Sequence, residues 1–167
     1  MSIQSPFISV GEVCVRLGVN RSTLHGVYEF LPFLYLEKSK TRFFPKIYID
    51  DYVAWLRANK RRAGRRSAQD YSQTAEAKEV MATANATIVA LFKAHAWLTR
   101  QDVMDLMNVA NGTITKWQVG KIITPIREEA PIRRGRGEAW LPVAHYSSAE
   151  LLGNLKWRCP KSLRPNR

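Results

Sequence analysis

The sequence predicts a mainly α fold with small β wings, built as two tandem modules joined by a helical connector, and three observations lead there. A helix, tight turn and helix pattern over 8–25 recurs ninety residues later. Each copy is followed by a short hairpin-like stretch. The segment between the copies is Ala-rich, with apolar residues at helical spacing.

In the first copy, ISVGEVCVRLGVNRSTLH, Ser9 and Glu12 have the spacing of a capping box, so a helix is expected to start there. Val13 and Leu17 share one face, Gly18 permits the sharp turn, and Val19 plugs the corner. Asn20 then caps a second helix with Leu24 and Val27 inward, which completes a helix-turn-helix. Pro32 fits no helix interior and turns the chain into a strand. Residues 34–36 can pair with 43–44 or with 47–48 across a loop whose cations, Lys38, Lys40 and Arg42, make it a basic wing. Asp50 is expected to cap a closing helix over 51–59. This module occupies 1–60.

A basic linker over 61–72 follows, in which Arg61, Arg62, Arg65 and Arg66 read either as solvated charge or as an arm lying on phosphates. Residues 73–96 read as one amphipathic helix with the stripe Ala77, Met81, Ala84, Ile88, Leu91 and His95. That stripe suits packing on the second module or a dimer contact between two chains. A straight helix of about 25 residues would be roughly 37 Å long, near one turn of duplex, so a spanning arrangement stays open as well.

The second module covers 97–155. Thr99 and Asp102 repeat the capping box, Val103, Met107, Val109 and Ile114 repeat the inward positions, and the later half aligns at an offset of ninety-seven, Pro142 matching Pro45. Its second helix lacks the Asn cap because Ala110 stands in that place, so Asn108 or Asn111 would have to cap it, or it would order only on its target. Asn111, Thr113, Thr115 and Lys116 are its candidate DNA contacts, and Trp117 reads as core. Its longer wing ends in a flexible tip whose Arg133, Arg134 and Arg136 suit insertion along a phosphate backbone or into a minor groove of DNA. Residues 156–167, with five basic residues and two prolines, read as a basic disordered tail. The fold class is thus two tandem winged helix-turn-helix domains.

Charge narrows the partner. The formal charge is +12, and 1–66 hold twelve Lys/Arg against five Asp/Glu, 67–97 two against three, and 98–167 twelve against six. Each module is basic and the connector is not, which points to a polyanion whose counterions the cations release. With 46% hydrophobic and 10% aromatic residues the modules have enough apolar side chains for folded cores. Two cysteines make no disulfide framework, Cys14 reading as a small buried side chain in a reducing interior. The start, MSIQSPF, has no leader pattern and no apolar run is long enough for a bilayer, so no membrane partner and a cytoplasmic, nucleoid-associated place in a bacterial cell are expected. The histidines lie far apart, and no phosphate loop, nucleophile elbow or zinc pattern occurs. A protein without enzymatic activity or cofactor is the expectation.

The pattern I-S-V-x-E-V-x-x-x-L-G-V-x-R-S-T-L-H, a short wing, then F-P-x-x-x-I-D-D-Y-V-A-W-L resembles the winged helix of the MerR and phage excisionase (AlpA-like) superfamily, over residues 8–60. The resemblance implies that the second helix enters the major groove, with base contacts from Arg21, Ser22 and His25 beside Thr23, Asn20 as cap, and phosphate contacts from Lys38, Lys40 and Arg42. It implies a sequence-specific binder of double-stranded DNA, either a transcription regulator or a recombination directionality factor of a phage or mobile element, working with a recombinase or polymerase. A small terminase subunit of a phage uses such a winged helix too. One module could instead serve as a protein-interaction platform, the uncapped second helix being the feature that allows it. RNA is disfavoured, since no aromatic sheet motif for stacking bases is visible.

Overall fold

The computed structural model describes residues 3–134 and 137–164. They form a mainly helical chain with two small antiparallel sheets. In order come β1 (Phe7–Ile8), α1 (Val10–Leu17), α2 (Arg21–Val27), a 3₁₀ turn (Tyr28–Phe30), β2 (Phe33–Leu36), β3 (Arg42–Pro45), α3 (Lys46–Ala58), α4 (Arg65–Ser72) and α5 (Ala75–Ala94). Then follow β4 (Trp97–Thr99), α6 (Arg100–Met107), α7 (Asn111–Val119), β5 (Ile126–Arg134), β6 (Gly137–Ser147), α8 (Ser148–Asn154), β7 (Leu155–Arg158) and a last 3₁₀ turn (Lys161–Leu163).

Local chemistry sets the first helix pair. The Ser9 hydroxyl accepts from the Glu12 amide at 3.3 Å, Gly18 takes the left-handed conformation at φ 66°, and Asn20 Oδ1 accepts from the Thr23 amide at 2.8 Å. The Glu12 carboxylate, expected to return to the Ser9 backbone, instead accepts from the Ser9 hydroxyl at 3.3 Å and from the Asn108 amide group at 3.1 Å. In the second pair the reciprocal box forms in full, Asp102 N to Thr99 Oγ1 at 3.1 Å and Thr99 N to Asp102 Oδ2 at 3.0 Å. Asn108 stands where Gly18 stands in the first pair and takes the same left-handed conformation, φ 54°.

Several expectations are corrected. The closing helix α3 starts at Lys46 and not after Asp50, because β3 runs straight into it through Pro45; Asp50 pairs with Arg16. β2 pairs with β3 in the nearer of the two registers, Leu34 opposite Phe43 and Tyr35 opposite Arg42. The 61–72 stretch is no extended linker: α4 buries Ser67, Ala68, Tyr71 and Ser72, and Tyr52 Oη lies 2.8 Å from Ser67 Oγ. Nor do 156–167 read as a tail through their described part. β7 adds antiparallel to β2, with Phe33 opposite Arg158 and Leu36 opposite Leu155, and Leu163 is buried in the core beneath the first helix pair. The later halves of the two modules also align differently. Ile8 faces Phe44 and Leu98 faces Tyr146, an offset of 102 (146 less 44), so Pro45 and Pro142 are not equivalent. Pro142 lies within β6, opposite Glu129.

The stripe on α5 is covered within the chain. Ala77 and Met81 join one core with Val13, Leu24, Tyr48 and Tyr52, whereas Ile88 and Phe92 join a second core with Val103, Ile114 and Trp117. Phe92 takes the place expected of Leu91 and His95; the latter is exposed. Neither a helix packed on the second module alone, nor a free spanning rod, nor a dimer seam describes it.

The two cores are also shared between halves of the chain. Phe7, Leu34, Leu36 and Phe43 from the first half are buried in the second core, where the Phe43 and Trp117 ring centroids stand 6.0 Å apart. Each such side chain contributes about 1.5–3 kcal/mol on burial, and Ser5 Oγ adds a 2.7 Å hydrogen bond to the Leu106 carbonyl. The halves therefore hold each other at fixed positions. Among the described residues no helix is long and apolar enough to cross a membrane.

Candidate nucleic-acid interface

The α2 helix turns Leu24 and Val27 inward, which leaves Arg21, Ser22, Thr23 and His25 exposed on the opposite side, with Asn20 spent as the cap. At the end of this face the His25 ring meets Tyr28 edge-on at 5.0 Å. Tyr28 in turn lies under the Arg42 guanidinium, 4.5 Å from its ring centroid, with Phe33 at 5.6 Å from the same guanidinium. Two rings thus fix Arg42 between α2 and the sheet, at about 0.5–2 kcal/mol per cation–π contact. Burial pushes the Tyr28 hydroxyl up, and Arg42 only partly offsets it, so it remains a neutral donor. Beyond Arg42 the β2–β3 loop presents Lys38 and Lys40, both exposed, Lys38 at φ 67°. Helix face, arginine and loop form one continuous strip.

The basic stretch after α3 is folded onto the body. Arg61 pairs with Asp70 at 2.8 Å and lies 5.3 Å over the Trp55 ring; Arg65 pairs with Glu29 at 3.3 Å and lies 5.5 Å over Phe30. An extended arm of these four arginines is therefore corrected to two engaged side chains, with Arg62 and Arg66 making no ion pair among the described residues. The Arg65 pair is 68% and 71% exposed, so solvent leaves it close to neutral in stability. Arg62 joins Arg16, Arg57 and Arg61 around a groove of about 490 Å³ behind the Gly18 turn.

The second pair is arranged otherwise. Ala110 is the first residue of its turn into α7 and supplies no side-chain cap, and neither Asn108 nor Asn111 replaces it. Asn108 closes α6, and Asn111 Oδ1 accepts a hydrogen bond from the Arg100 side chain at 2.5 Å.

 The donor in that bond is Arg100 Nε, and the same guanidinium donates through Nη2 to the Asn111 carbonyl at 3.0 Å and to Thr115 Oγ1 at 2.6 Å. Through Nη1 it reaches Gln118 Oε1 at 3.3 Å and the Tyr146 hydroxyl at 3.5 Å. Arg100, at the start of α6, thus clamps α7 in place of a cap. Asn111 and Thr115 are exposed but bonded to Arg100, Thr113 is half-buried, Lys116 is exposed and Trp117 is core. The backbone of Arg133 and Arg134 ends β5, opposite Glu138 and Gly137, while Arg136 lies outside the described residues.

Sequence reasoning missed Arg100, Tyr28 and the β7 cations. For β7 a signal existed: Leu155-Lys156-Trp157-Arg158 alternates apolar and basic, the period of a half-buried strand. Among the described residues no group of His, Cys, Asp and Glu is placed to hold a metal ion. Compared with protein-family models, curated proteins and solved structures, the chain finds no match.

Proposed function

We propose that the chain is a sequence-specific binder of double-stranded DNA, a non-enzymatic protein made of two winged helix-turn-helix modules, with the first module as the reader. The observation that carries this reading is the strip from Arg21, Ser22 and His25 on α2 through the stacked Arg42 to Lys38 and Lys40, which matches base-reading side chains with flanking phosphate contacts. The +12 charge supports it by favouring a polyanion. Roles as a transcription regulator or a recombination directionality factor of a phage or mobile element both follow from such binding.

Selection of bound sequences from random duplex and single-stranded pools tests it, and recovery of one duplex motif is the expected result. Affinity for that motif should fall by roughly 10³–10⁵ between 50 and 200 mM salt if about six to ten phosphates are contacted. A flat salt dependence, or enrichment of single strands alone, overturns the reading. A second reading makes the second module a protein-interaction platform. It is favoured by the Arg100 clamp, which occupies Asn111 and Thr115, and by Trp97, 54% exposed beside a groove of about 570 Å³ lined by Phe92, Ala96 and Leu152.

A further inference from the structure

We propose that the C-terminal strand β7 completes a phosphodiester-binding groove on the first module, with Arg158 as a backbone-phosphate contact. The antiparallel register sets Arg158 opposite Phe33 and Lys156 opposite Tyr35, and Tyr35 is opposite Arg42 in β3. Paired residues point to the same side of a sheet, so Arg42, Arg158 and Lys156 share one face with Tyr35 and Phe33. On that face a groove of about 420 Å³ is lined by Tyr35, Ser39, Lys40, Thr41, Arg42 and Arg158, above Phe33. Three cations and three hydroxyl side chains line it, and no carboxylate does. Glu37, the one acid of the β2–β3 loop, is paired with Lys156 at 3.1 Å, and Arg158 is exposed without an ion pair among the described residues.

The ligand follows from this chemistry. Convergent cations with hydroxyl donors and no acceptor-rich carboxylate suit an anion, and the groove continues the strip of Lys40 and Arg42, which meets backbone phosphates. A stacked base is a poorer occupant, because Phe33 is only 3% exposed and leaves Tyr35 as the one ring at hand. A residue at position 158, far beyond the second helix pair, thereby serves the first.

This inference rests on the DNA-binding reading, and one set of titrations separates the two. Wild type, Arg158→Ala, Arg158→Lys and, as a charge-matched control on α5, Lys93→Ala are titrated with the selected duplex, a random duplex and a single strand over 50–200 mM salt. The slope of log K against log salt should shrink by about 0.9 in Arg158→Ala, equal to an advantage of wild type that falls about 3.5-fold across that range. The loss should be the same on selected and random duplex, Arg158→Lys should keep the slope, and Lys93→Ala should match wild type. Unchanged slopes in Arg158→Ala beside a duplex-binding wild type overturn the groove alone. Equal losses in Arg158→Ala and Lys93→Ala reduce the effect to bulk charge and overturn it also. A wild type that binds neither duplex fails the DNA-binding reading, and a loss confined to the single strand overturns the duplex assignment.

Discussion

The two helix pairs begin from nearly the same pattern and spend their polar side chains differently. In the first, one short side chain, Asn20, caps α2 and leaves Arg21, Ser22 and His25 facing solvent. In the second, no cap exists, and Arg100 secures α7 by bonding Asn111, Thr115 and Gln118. The cheaper local solution frees a surface, whereas the longer-range one consumes it. A helix held by its cap keeps its outer face available; a helix held by its outer face does not.

The largest expected effect comes from removing what the pairs share. Trp117→Ala should destabilise the chain by about 3–5 kcal/mol in urea unfolding, since it opens a cavity against Phe43 as well as within the second core. A loss well below that would show that the halves pack independently. Next is the clamp: Arg100→Ala should cost about 2 kcal/mol, because several polar groups lose a charged donor at a half-buried site. Hydrogen exchange would place that loss in α7 and spare α2. On DNA, Arg21→Ala should cost about 1–3 kcal/mol and relax preference at one or two base pairs, while Lys40→Ala weakens all duplexes alike. The smallest effect swaps the capping modes. Asn20→Ala should destabilise by about 1 kcal/mol and Ala110→Ser should stabilise by somewhat less, both read as shifts in the denaturant midpoint. If Ala110→Ser gains nothing, Arg100 already meets the need that a cap would fill.

What was legible in the sequence was local. Ser9, Gly18 and Asn20 act within a few residues of themselves, so the boundaries of α1 and α2 could be read directly. Leu24 and Val27 by their place on the helix, and Cys14 and Trp117 by residue type, read as inward, and all four are buried. What escaped depended on distant partners. The Arg100 clamp joins side chains eleven to forty-six positions away, and β7 finds β2 across most of the chain. The 61–72 stretch looked like a linker because its charges hide the buried Ser67, Ala68 and Tyr71. The misleading signal was Pro142, whose likeness to Pro45 set the two later halves five residues out of register (102 less 97).

The pairing of β7 with β2 also orders events during synthesis. Phe33–Leu36, an apolar strand with an open edge, emerges from the ribosome long before Leu155–Arg158 exists to cover it. Through that interval the nascent first half exposes a template for pairing with neighbouring chains, together with Leu34, Leu36 and Phe43 that only the second core buries. Completion of the chain closes both at once, so yield in the cell should depend on translation reaching the last strand.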